Sequence, residues 1–277
     1  MSLFPWLLIF MTLLFSPGSE RVQKSSIPES ISEWIKAAPP KVGSDAWRAA
    51  NASDYEWQVG MKNGLPVAHR RSPKTEEGSA LPLVVKRAHG AHDEPGEIHS
   101  VQVTDGWLVA YNAGEFGGSL WWYGADGRQR YKVSNDQINQ FLPTKRGGLF
   151  ALEGVAHMNL SRGQIVQIKQ NAQGQWMSTQ FVDLGHAPDV GLIDRDGNFI
   201  VSATDALIKV QPDKTQKVLI EKAFWAGLYP HSIALSPSGD IYLGMRHGVS
   251  LIYPFNHAYV AEWFLPNRDF VRAKPKD

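Results

Sequence analysis

Apolar and polar positions alternate along this chain in short runs, and turn residues close each run. The clearest stretch lies over residues 229–253, YPHSIALSPSGDIYLGMRHGVSLIY. Ser232-Ile233-Ala234-Leu235 leads to a Ser238-Gly239 turn. Asp240-Ile241-Tyr242-Leu243 climbs back, and Val249-Ser250-Leu251-Ile252-Tyr253 follows. Runs this short, rich in Ile, Leu, Val and Tyr and bounded by Pro, Ser, Gly and Asn, predict a meander of antiparallel strands and not a helix.

The same unit recurs. Asn63-Gly64, Asp105-Gly106, Gly147-Gly148, Asp196-Gly197 and Ser238-Gly239 each separate two apolar runs, and their second glycines are 42, 42, 49 and 42 residues apart. A four-stranded propeller blade takes roughly 40–50 residues, so one blade per unit fits. The expected fold is therefore all-β, a five-bladed propeller over residues 54–266; the count becomes six if residues 19–55 or the tail complete another blade. Pro188 opens the fourth unit, which runs to Ile220, and the fifth runs from Pro230 to Leu265. The first unit is the least regular, with strands expected at 56–60, 65–69 and 81–86, a long charged loop at 70–79 and a further loop at 89–96.

The ends of the chain do not share the repeat. Residues 3–15 are apolar and uncharged, shorter than the roughly 20 residues of a spanning helix, and Ser16-Pro17-Gly18 follows. This pattern predicts a signal peptide over 1–18, removed on export, and hence a periplasmic or secreted protein. Residues 19–53 predict a short helical extension. Ser26 and Glu29 have capping-box spacing, Ile31, Trp34 and Ile35 share a helical face, Pro39-Pro40 ends it, and a second short helix at 44–50 is anchored by Trp47. Residues 267–277 form a basic tail expected to fray.

Composition narrows the chemistry. Lys plus Arg number 28 and Asp plus Glu 27, so no excess of positive charge points to nucleic acid. Once the leader is cut, no membrane is expected as a partner. The chain has no cysteine, which excludes disulfides, thiolate metal sites and a cysteine nucleophile.

Two of the units carry a family resemblance. Residues 188–202, PDVGLIDRDGNFIVS, and 230–244, PHSIALSPSGDIYLG, resemble the repeats of the NHL, YVTN and gluconolactonase-like β-propellers. The resemblance implies a ring of blades around a central channel. The gluconolactonase-like group holds a divalent metal there through Glu, Asn and Asp, a motif not matched residue by residue here.

Stacking equivalent units turns sequence position into position on a ring. Eight residues before the turn glycine, the innermost strand begins; this places Glu56, Asp189 and His231 at one channel mouth, with His99 equivalent in the shorter second unit and Asn139 or Gln140 in the third. The loops joining second and third strands emerge on the same face and carry Glu115, His157, Asp205, Arg246 and His247. Eight of the nine histidines map to this face, His257 alone to the other. Imidazole serves both metal ligation and proton transfer near neutral pH. Polar residues also line any wet channel without a further role.

Two functions follow from different classes. One is an exported binding module that holds a small molecule or a protein partner on its histidine-rich top face, through Glu115, His157, Asp205, Arg246 and His247. The other is a metal-dependent hydrolase or lyase, lactonase-like, with one calcium or zinc ion held by Glu56, His99, Asp189 and His231. No nucleophile elbow, phosphate loop or catalytic triad spacing is present, which favours the first. The sequence leaves the oligomeric state open.

Overall fold

A computed structural model describes residues 27–71, 96–158 and 160–272. The expectations for the leader at 1–18, the strand at 81–86, His89 and His92 lie outside these residues.

The chain folds into consecutive antiparallel sheets. The first is a two-stranded hairpin, β2 (Trp57–Lys62) and β3 (Leu65–Arg70). Asn63 and Gly64 both take left-handed backbone (φ 53° and 78°), the requirement of a tight two-residue hairpin turn. Three four-stranded meanders follow. They are β4–β7 (Glu97–Val103, Gly106–Asn112, Gly118–Gly124, Arg130–Ser134), β8–β11 (Ile138–Pro143, Leu149–His157, Leu160–Gln170, Trp176–Asp183) and β12–β15 (Pro188–Ile193, Phe199–Ala203, Ala206–Val210, Gln216–Ile220). The last sheet holds β16–β19 (Ser232–Leu235, Ile241–Gly244, Val249–Phe255, Ala258–Leu265) and gains β1 (Ile35–Ala37) on its outer edge.

The sheets pack face to face, with hydrophobic clusters between neighbours. Ile138, Ala151 and Val166 of the third sheet meet Leu108 and Leu120 of the second. Leu152 and Ile165 meet Phe199 and Val201 of the fourth. Val190, Ile200 and Leu207 meet Ile241, Leu243 and Ile252 of the last. A strand covered on both faces needs no alternation, which is why all five residues of β13 and all four of β17 are buried. Outer strands such as β11 alternate instead. The innermost strands β4, β8, β12, β16 and β2 are neighbours in that order, giving the radial arrangement of a β-propeller.

The first sheet docks on the last through backbone. Trp57 donates its N–H to the Met245 carbonyl at 3.1 Å, and the Val59 N–H donates to Ser232 Oγ at 3.0 Å. Trp57 is buried against Trp34, Tyr242 and Val249.

Two expectations for the ends are corrected. Residues 31–37 are not a helix. Ile31–Glu33 make one 3-10 turn, and Ile35–Ala37 extend to pair with β19 (Ile35 opposite Leu265). The open edge of β19 supplies ladder partners, and a run of three apolar residues is too short to sustain a helix against them. The helix at the second expected position does form: α1 (Asp45–Asn51), capped by the Ser44 hydroxyl. The beginning of the basic tail is ordered as α2 (Arg268–Val271), and Phe270 packs on Tyr55, Trp57 and His247. Among the described residues no helix is long and apolar enough to cross a membrane.

Candidate functional site

A cavity of about 570 Å³ opens where the innermost strands begin, and all five sheets contribute to its wall. Glu56 and Arg71 come from the first sheet's ends, Glu97, His99 and Asn112 from the second sheet, and Asn139 and Gln140 from the third. Asp189 comes from the fourth, and Tyr229 and His231 from the lead-in to the last. A larger cavity, about 940 Å³, opens at the opposite end and shares Gln140, Val190 and His231 with the first. The two mouths thus meet across the axis of the ring.

Local backbone sets two of these side chains. Asn139 is the extra residue of a bulge between Ile138 and Gln140, and Asp189 is the extra residue of a bulge between Pro188 and Val190. A bulge leaves one residue out of the ladder and re-aims it. The same device at the start of two successive inner strands supplies the wall with an amide and a carboxyl. Asn139 is fully engaged: its amide donates to the Pro188 carbonyl at 2.7 Å, and its Oδ1 accepts from Asn112 Nδ2 at 2.5 Å. Gln140 clamps Gly191 in both directions, donating at 3.1 Å and accepting at 2.8 Å.

Asp189 differs. The residue is half-buried, but its Oδ2 is closed off from solvent and has no hydrogen-bond partner. Burial first, and the neighbouring Asp205 carboxylate second, hold its carboxyl well above the ordinary carboxylate range. Asp205 lies in the turn between β13 and β14 and binds His186 Nδ1 at 2.9 Å. Gly163 on β10 allows the His186–Pro188 backbone to lie this close, since a Cβ there would stand 2.6 Å from the His186 carbonyl.

The sign of the Asp189 shift fixes a pH dependence. Its folded pKa lies above the unfolded value of about 3.9, so the native state holds the extra proton between the two. Stability from this group is complete below the unfolded pKa and is lost as pH rises through the folded one. Asp189→Asn, which mimics the protonated acid, is expected to match the parent near pH 4. It should then out-melt the parent at pH 7–8, the gap widening by about 1.4 kcal/mol per pH unit between the two pKa values. Thermal melts across pH 4–8 check this; a gap constant with pH refutes it.

The remaining expected residues divide by position. Glu56, His99, Asp189 and His231 do line one cavity. They do not form a ligand cluster: among the described residues no three His, Asp or Glu side chains come together to hold a metal ion. Glu56 is committed to Arg71 at 3.2 Å and Arg246 at 3.4 Å, and His231 Nδ1 contacts the Tyr229 carbonyl at 3.2 Å. Glu56, Asn139 and Asp189 are a glutamate, an asparagine and an aspartate on one wall. With Glu56 bound by two guanidiniums and Asn139 Oδ1 by an amide, they do not fit a divalent ion.

The loop residues Glu115, His157, Asp205, Arg246 and His247 stand outside this wall. Glu115 and His157 pair with each other at 2.7 Å across two sheets. Arg246 lies behind Glu56, over the Tyr229 ring at 4.4 Å, and donates to the Asn51 carbonyl at 3.1 Å. His247 is a correction: it is 6 % exposed, with Nε2 at 2.8 Å from the Phe270 carbonyl and its pKa lowered by burial. The α2 turn covers it, so it packs the core and offers no ligand surface. The sequence reading missed Arg71, Glu97 and Asn112 as wall residues, and His186 as the partner of Asp205. The position of His186 two residues before a blade-opening proline was the only signal for it.

No protein-family model and no curated protein matches the chain. Its fold is similar to solved structures of low identity. A gluconolactonase from Xanthomonas campestris shares 12 % identity over 72 % of this chain and 65 % of its own, with a TM-score of 0.42. A streptogramin B lyase shares 12 % over 64 % of each chain, with a TM-score of 0.41. A virginiamycin B lyase from Staphylococcus aureus shares 8 % over 82 % of this chain and 72 % of its own, with a TM-score of 0.40.

Proposed function

We propose that the chain is an exported five-bladed β-propeller that binds a small polar molecule in the cavity where its inner strands begin. One observation carries this reading: a cavity walled by all five sheets brings Glu56, Glu97, His99, Asn112, Asp189 and His231 onto one wall. A concave site with a few convergent polar groups is where small polar ligands are held. Around it the wall is already fixed by the Asn112–Asn139–Pro188 chain and the Arg71–Glu56–Arg246 clamp, so little order is lost on binding. Enzyme activity at this site is the second reading, supported by the displaced pKa of Asp189, a feature of functional clefts.

The leader at 1–18 belongs to the same proposal, and it is tested by the intact mass of the exported protein: a chain beginning near residue 19 is expected, and a mass that includes Met1 refutes it. The site itself is tested by nuclear magnetic resonance of labelled imidazoles against a panel of sugars, polyols, hydroxy acids and amines. Binding in the cavity moves His99 and His231 together and leaves His257, in the β18–β19 turn at the other end, unchanged. A panel that moves none of them, or His257 alone, removes the proposal.

A further inference from the structure

The second cavity, about 940 Å³, lies at the opposite end of the ring from the polar site and differs from it in lining. Phe150 and Phe181 of the third sheet and Leu192 and Ile193 of the fourth line it, all four half-buried and not sealed. The rings of Phe150 and Phe181 meet edge to face at 5.1 Å, which fixes both in place. Further in, Val190 and Ile233 carry the apolar lining toward the axis. Apolar surface left open inside a recess of this size is surface that a hydrocarbon chain would take out of water.

The open end of this cavity carries an excess of positive charge. Two turns form it, residues 144–148 between β8 and β9 and residues 194–198 between β12 and β13, and they bring exposed Lys145, Arg146 and Arg195 to the rim. Among the described residues none of the three pairs with a carboxylate; Arg195 Nη2 donates to the Pro237 carbonyl at 3.3 Å. Asp194 is engaged within its own turn. It accepts from the Asp196 N–H at 2.9 Å, from the Asn198 N–H at 2.9 Å and from the Asn198 amide at 2.8 Å, and Lys209 lies 3.9 Å away. Asp196 offsets one of the three positive charges, and the rest remain. The other turn is closed by the Gly148 N–H on Thr144 Oγ1 at 2.8 Å, so a ligand would meet the cations on turns already held by hydrogen bonds. A cationic turn alone is an ordinary solvated surface, and an apolar recess alone is ordinary packing. Here one opens onto the other.

We propose that this cavity binds an amphiphilic organic anion, an unbranched alkyl carboxylate. Its chain lies along Phe150, Phe181, Leu192 and Ile193, and its carboxylate meets Lys145, Arg146 and Arg195 at the rim. A cationic amphiphile would meet the excess positive charge, and a small polar molecule would leave the apolar walls uncovered. The site is separate from the polar cavity at the other end, and neither reading depends on the other.

Calorimetric titration of the full chain with hexanoate, octanoate and decanoate, each below its micelle concentration, tests this. The expected result is saturable binding that tightens about fourfold per added methylene, the factor for taking one CH₂ out of water, and that weakens as salt is raised. Methyl resonances of Ile193 and Ile233 should move with decanoate, while that of Ile98 in the second sheet stays. Lys145→Glu combined with Arg146→Glu should weaken decanoate at least about fivefold and leave 1-decanol unchanged. Arg195→Glu, on the other turn, should act in the same direction, which preserves the test if the double variant does not fold. Decyltrimethylammonium bound as tightly as decanoate overturns the inference, as does a folded double variant that binds decanoate like the parent. Decanoate binding that leaves Ile193 and Ile233 unmoved places the anion elsewhere and overturns it too, and so does the absence of saturable binding. The response of His99 to the panel of polar compounds is unaffected by any of these outcomes, so the two sites fail separately.

Discussion

Gly244→Ala is expected to destabilise the protein by about 3 kcal/mol or more, a fall of roughly 6–12 °C in melting temperature for a domain of this size. Gly244 ends β17 in extended backbone, so the reason is space and not strain. A methyl group there would land on the backbone carbonyl of Trp57 and on the Ser232 hydroxyl, with the Trp57 carbonyl carbon 3.0 Å away. The carbonyl is backbone and cannot rotate aside, so β2 would have to leave β17. That movement would take with it the Trp57 N–H bond to Met245, the Ser232 link to Val59 and the burial of Trp57 at 2 % exposure. Gly60→Ala on β2 is the control, because a methyl group there meets nothing within 4 Å. Melting of Gly244→Ala at the parent temperature would mean that the first sheet does not dock where the structure puts it.

This junction shows what the sequence made legible. The turn glycines and the short apolar runs identified a meander repeat; the fourth unit lies between the same residues in the sheets, and the last begins two residues later and ends at the same one. That signal is local: a hairpin turn needs left-handed residues, and Asn63-Gly64 or Gly197 declare it directly. Ring position was legible as well, because equivalent residues of a repeat fall at equivalent places; Glu56, His99, Asp189 and His231 share a cavity although they span the chain. Pairing and orientation were not. Nothing in the order of residues says that Asn139 and Asp189 sit on bulges, that two arginines enclose Glu56, or that Phe270 returns to cover His247. Each depends on contacts between residues far apart in sequence. Residues 31–37 failed for the same reason. Ile31, Trp34 and Ile35 have helical spacing, but the free edge of β19 decided their conformation.

The same segment carries the second large effect. Residues 29–37 run from the first sheet to the last, since Glu29 accepts the Ala68 N–H at 2.8 Å, Ser30 bridges Val67, and β1 pairs with β19. They hold the beginning and the end of the described chain together, a closure made without disulfides. Trp34 is its centre: 5 % exposed, with its indole N–H on the Pro28 carbonyl at 2.8 Å and its ring edge-on to Trp57 at 4.9 Å and 74°. Trp34→Ala is expected to cost about 3–5 kcal/mol, the usual range for deleting a buried indole. Trp57→Ala should cost a similar amount, and the two should not add. With the partner ring already gone, the second deletion loses no edge-to-face contact, so the double variant should fall short of the sum by about 0.5–1.5 kcal/mol. Denaturant melts of the two single variants and the double variant measure this directly. A Trp34→Ala loss below about 0.5 kcal/mol, within the range of an ordinary surface change, would show that the N-terminal strap does not hold the first and last sheets together. Full additivity with a large single loss would separate the two indoles and leave the strap to act through β1 alone.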